Sequence, residues 1–221
     1  MFIGHYSVSF AAKSDKNNIP LWLLFIAVQL IDVLWSIFVF CGIERVRIVP
    51  GFTASNALDL YYMPYTHSLI GALGWSLLAY GLYRIWKGSG QSRTAAVIVG
   101  LAVFSHWILD LIVHTHDLSL YDDTMKVGFG LWNYRNAEFG LEVALLLGGM
   151  VLYFRNNAGL SPFQRYGTIG LVVFMILIQS VNTFASLPLS TDTSVAVSAF
   201  VLYMLFAGLA FLVEQRKTVT T

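Results

Sequence analysis

Six apolar stretches dominate the sequence: residues 20–41, 66–86, 94–114, 137–154, 167–186 and 194–213. Each is close to the ~20 residues that a helix rising about 1.5 Å per residue needs to cross a bilayer core. Inside such a core every backbone N–H and C=O must find a partner within the protein, which leaves helices or closed barrels. These runs are too long for barrel strands. The fold class they predict is all-α: a polytopic bundle of about six transmembrane helices. It forms a single integral membrane domain over 1–221, with 1–154 holding the polar site and 155–221 in support. Composition agrees, since only 11% of residues are charged against about a quarter in soluble domains.

The net charge of +1 gives no basic surface for nucleic acid. The single cysteine, Cys41, excludes an internal disulfide and a thiolate metal site. The opening "MFIGHYSVSFAAK" has neither a basic start nor a long apolar run, so it does not read as a cleaved signal peptide.

Basic residues set the expected orientation. Lys13, Lys16, Arg84, Lys87, Arg93, Arg155, Arg165, Arg216 and Lys217 fall on one side, and Arg45, Arg47, Lys126 and Arg135 on the other. Nine against four, of thirteen Lys and Arg in all, predicts that the first side and both termini are cytoplasmic. Two long outer loops, 42–65 and 115–136, then cover the outer ends of the first four helices, while 187–193 is short.

The stretch "FSHWILDLIVHTHD" (104–117) places ionisable groups where hydrocarbon is expected. Each costs roughly 2.5–3.5 kcal/mol at mid-bilayer, so intramembrane charges usually mark function. His106, Asp110 and His114 are spaced i, i+4, i+8 and share a face. Gln29, Asp32 and Ser36 share a face of the first helix, His67 opens the second, and Glu138 and Glu142 open the fourth. Asp32 and His106 each lie about 18 Å from the inner start of their helices. All these groups therefore fall in the outer half of the bilayer. The fifth and sixth helices have no ionisable residue in their apolar runs and are assigned a supporting role. His116 and Asp117 are expected to cap the third helix.

Histidine and carboxylate ligands without cysteine suit Zn²⁺ first, with Mn²⁺ or Fe²⁺ as alternatives. More than four candidate ligands leave room for one or two ions, the latter being common in phosphoester hydrolysis. His67, His106 and Asp110 are the first candidates for metal ligands, followed by Asp32, His114 and Glu142. Asp32 and Asp110 are also the candidate catalytic carboxylates. Arg45 and Arg47, beside Glu44 in the outer loop, read either as phosphate-binding groups or as surface charge.

"GH" at Gly4–His5, Asp32 within an apolar run, "YTHSL" around His67 and "SHWILD" at His106 and Asp110 resemble the bacterial inner-membrane metal-dependent hydrolases of the LexA-binding type. The similarity covers residues 4 to about 117. The series is more distantly similar to the all-helical zinc-dependent phospholipase C and single-strand nuclease superfamily. That resemblance implies a bacterial inner-membrane location. It also implies a ligand series of His5, Asp32, His67, His106, Asp110, then His114 or His116, closing on Glu138 and Glu142, where the superfamily has HxxxE. It brings in His5, which residues 3–12 deliver only as a half-membrane helix. The other reading of 3–12 is an amphipathic helix lying on the inner face.

The leading expectation is a membrane hydrolase of a phosphoester lipid or similar amphiphile, with a homo-oligomer left open. The alternatives are a proton- or metal-coupled transporter and a non-catalytic membrane scaffold.

Overall fold

The computed structural model describes residues 1–88, 93–185 and 191–215. Arg216, Lys217 and residues 187–190 of the short third outer segment lie outside them. A single 3₁₀ turn (Ile3–His5) leads into α1 (Tyr6–Ala12), α2 (Leu21–Val28) and α3 (Leu30–Phe40). A hairpin of β1 (Arg45–Ile48) and β2 (Leu58–Tyr62) follows, then α4 (Leu69–Lys87) and α5 (Arg93–Val113). After a second 3₁₀ turn (Leu131–Asn133) come α6 (Arg135–Asn156), α7 (Pro162–Phe184) and α8 (Asp192–Gln215).

Among the described residues, α5 to α8 are long and apolar enough to cross a membrane, and α2 with α3 adds a fifth span if the bent pair is one. This is a membrane-spanning helical protein with four or five such spans, against six expected. The difference lies in α4, the helix expected over 66–86. It has 19 residues, but its glycines, tyrosines, tryptophans and terminal Arg84 and Lys87 dilute its hydropathy.

The first expected span is not one helix. It breaks at Gln29 (φ −104°, ψ 6°), and α3 leaves α2 at 55°. The break places Asp32 in the first turn of α3.

The N-terminal segment belongs to the core of the bundle. Ile3, Tyr6 and Phe10 are fully buried, and α1 lies so close to α6 that a Cβ on Gly149 would come 2.5 Å from the Ser7 carbonyl oxygen. This rules out the expectation of a helix lying on the inner face. Lys13 pins the far end of α1, with Nζ 2.7 Å from the Ile19 carbonyl and 2.6 Å from Glu214.

Loop 42–65 carries strands where only ordered loop was expected. Val46 and Leu60 point down from the hairpin onto Trp35, Val39 and Val113 in a second, smaller core. Side chains alternate along a strand, so burying Val46 turns Arg45 and Arg47 outward. The other long loop is held down at Gly128 (φ 155°), where any Cβ would collide with the Thr115 carbonyl.

Candidate metal centre

Breaking the first span at Gln29 frees the Val28 carbonyl from its helical partner. A carbonyl freed in an apolar setting must find another donor. That donor is His106, whose Nδ1 lies 2.7 Å from Val28 O. An imidazole with its proton on Nδ1 presents a lone pair at Nε2. Nε2 of His106 is buried without a hydrogen-bond partner among the described residues. It faces two carboxylates, 3.1 Å from Asp110 Oδ2 and 3.5 Å from Asp32 Oδ1.

The outer tether recurs. His67 Nδ1 lies 2.8 Å from Thr66 Oγ1, and His114 Nδ1 lies 2.9 Å from Asp117 Oδ1. Their Nε2 atoms turn inward: His67 is 3.2 Å from Asp32 Oδ1 and 3.7 Å from Asp110 Oδ2, and His114 is 3.5 Å from Asp110 Oδ2. His5 brings Nε2 to 3.1 Å from Asp110 Oδ1 and stacks on His106 with ring centroids 3.8 Å apart. The Met1 amino group lies 2.6 Å from Asp110 Oδ1.

Four imidazole Nε2 atoms thus surround two carboxylates. His5, Asp32 and His106, and likewise His67, His106 and Asp110, offer ligand atoms all within 4.8 Å of one another. An orphaned buried lone pair and imidazoles tethered from outside suit a divalent cation, because metal-bound histidines characteristically donate their second N–H outward. The cluster is sealed except at Asp32. Its side chain is 14% exposed, against 0–3% for the His5, His67, His106, Asp110 and His114 side chains. Trp132 covers His114 at 4.0 Å.

Glu142 lies behind the N-terminal turn: its carboxylate accepts the Phe2 and Gly4 N–H groups, each at 2.9 Å, and so anchors the turn that carries His5. Glu138 is buried alongside it. Arg45 and Arg47 are exposed on the outer face of the hairpin. Arg47 pairs with Asp59 and lies over the Tyr61 ring, 4.3 Å from its centroid. His116 is exposed, while Asp117, expected to cap the helix with it, is buried against His114.

One contact departs from the supporting role assigned to the last helix: Tyr203 of α8 donates to Asp32 Oδ2 at 2.9 Å. The readable signal was a tyrosine inside an apolar run, since a buried phenol needs a partner. In loop 42–65, burial pushes the Glu44 carboxyl above its usual range, while the nearby His67 and hydrogen bonds from Thr66 and Tyr65 pull the other way. Comparison of the chain with protein families, with curated proteins and with solved structures returns no match.

Proposed function

We propose that this protein is a membrane-embedded, metal-dependent hydrolase of a phosphoester amphiphile, residing in a bacterial inner membrane with both termini cytoplasmic. The observation that carries the reading is the set of inward-turned Nε2 atoms on His67, His106 and His114, each fixed by an outer acceptor at Nδ1. Ligating histidines almost always carry such a tether, whereas ion pairing alone gives no reason for one. Nitrogen and oxygen donors favour Zn²⁺, with Mn²⁺ or Fe²⁺ next. A bound divalent ion would supply Lewis acidity toward water and toward a phosphoryl oxygen.

The chain's own groups divide the remaining work. His67, His106 and Asp110 would hold the ion, with His5 and His114 at the flanks. Asp32 sits at the one exposed edge of the cluster, where substrate and water arrive. Its Oδ1 faces His67, and its Oδ2 accepts from Tyr203. That fixed carboxylate is placed to take a proton from the attacking water. The neighbouring buried groups keep bulk solvent out, which strengthens every charge interaction inside.

The test is a panel of phospholipids and isoprenoid phosphates incubated with the purified protein in detergent. The expected outcome is metal-dependent release of a water-soluble product, abolished by chelator and reduced at least about 100-fold in Asp32→Asn. A second reading is favoured by the broken helix at Gln29, since discontinuous helices also build ion pathways in transporters. Absence of turnover together with proton or metal flux in liposomes would replace the hydrolase with that reading.

A further inference from the structure

Glu44 lies in the outer loop, away from the cluster in sequence, yet it is 1% exposed. Three donors converge on it. The Tyr65 and Thr66 N–H groups reach Oε1 at 2.9 Å each, and the Thr66 hydroxyl reaches Oε2 at 2.6 Å. With its proton committed to Glu44, the hydroxyl oxygen of Thr66 faces His67 Nδ1 at 2.8 Å as an acceptor only. An acceptor there favours the imidazole proton on Nδ1, and with a cation between Nε2 and the carboxylate of Asp32, 3.2 Å away, the Nε2 lone pair is the one that would ligate.

We propose that Glu44 is a positioning residue that sets the tautomer of His67 through the Thr66 hydroxyl, and thereby controls whether His67 can ligate. The tautomer and its consequence for ligation both rest on the metal reading above, since without an ion the Asp32 carboxylate competes for the imidazole proton at Nε2.

Glu44→Gln isolates the effect. The glutamine oxygen can still accept the Tyr65 and Thr66 amides, so the loop anchor is kept. Its NH₂ group now faces the Thr66 oxygen as a donor. The hydroxyl must then turn its own proton onto His67 Nδ1, and the imidazole proton moves to Nε2. The chain of hydrogen bonds runs backwards, and the lone pair that faced the cluster is lost.

The experiment uses full-length protein in detergent, with ¹⁵N-labelled histidine and Zn²⁺ titrated against a competing chelator. The His67 signal is identified by its loss in His67→Gln. The expected result, read on Zn²⁺-loaded protein, is an Nδ1-protonated His67 in the parent and an Nδ1-unprotonated one in Glu44→Gln, with Zn²⁺ affinity weakened about 10- to 100-fold, the usual effect of losing an outer partner. In a Thr66→Val background no hydroxyl can reverse, so Glu44→Gln should then change affinity less than twofold. That non-additivity separates relay from mere loop packing. Retention of the Nδ1 proton in Glu44→Gln, or an equal loss of affinity with and without the Thr66 hydroxyl, overturns the proposal. Failure of the parent protein to bind Zn²⁺ overturns the metal reading, and the relay falls with it.

Discussion

His106 does two jobs at once. Nδ1 satisfies the carbonyl exposed by the break after Val28, and Nε2 faces Asp32 and Asp110. His106→Ala therefore removes a proposed ligand and also strands a buried carbonyl, a loss of about 1–3 kcal/mol. Metal per protein, by elemental analysis, and thermal stability in detergent should fall together in this variant. His116→Ala, at an exposed position two residues beyond His114, should leave both unchanged. Full metal occupancy in His106→Ala and Asp110→Ala would make the cluster a structural ion-pair network. The spacing of His106, Asp110 and His114 made their shared face legible in the sequence, because a helix repeats its faces every three to four residues. Glu142 was not legible. Its partners are backbone amides 138 and 140 positions away, and no local periodicity reports such a contact.

At the scale of elements, the contact between α1 and α6 decides whether His5 belongs to the site. Gly149 allows the close approach, since a Cβ there would meet the Ser7 oxygen, Cα and carbonyl carbon at 2.5, 2.7 and 2.9 Å. Those are backbone atoms, so one helix must move. Gly149→Ala should cost about 1–3 kcal/mol, shift α1 off α6, and loosen the amide bonds to Glu142 with it. A lower melting temperature and weaker metal binding are the expected readings. Gly148→Ala is the matched comparison, because nothing lies within 4 Å of the added carbon. It should be neutral or slightly stabilising through helix propensity. Apolar run length made the long helices legible, and four of them answer directly to the segments from 94 onward. The break at Gln29 carries neither proline nor glycine, so no local signal announces it. The hairpin was hidden for a related reason: its inward residues, Val46 and Leu60, are too few to show a period.

At the scale of the whole molecule, the charge count predicts how the bundle sits. Reporter fusions after residues 90 and 160 should report cytoplasm, and fusions near 55 and 125 the outside. The reversed pattern would bring the cluster under the inner leaflet, against the expectation that it lies in the outer half of the bilayer. Membrane character was legible because composition is a property of the chain as a whole, whereas the convergence of separate helices on one cluster is not. The histidines could be paired along a helix by counting. The meeting of α1, α3, α5 and α8 around Asp32 and Asp110 depends on packing.

The hydrogen bond between Tyr203 and Asp32 joins residues 171 positions apart, and this has a consequence for biogenesis. A ribosome delivers Asp32 to the insertion machinery well before His67, His106 and Tyr203 exist to receive it. Until α8 emerges, the aspartate has no complete set of partners, and hydrocarbon is a hostile place for it to wait. The contact that completes the surroundings of Asp32 therefore forms only once α8 has been made, late in the assembly of the bundle.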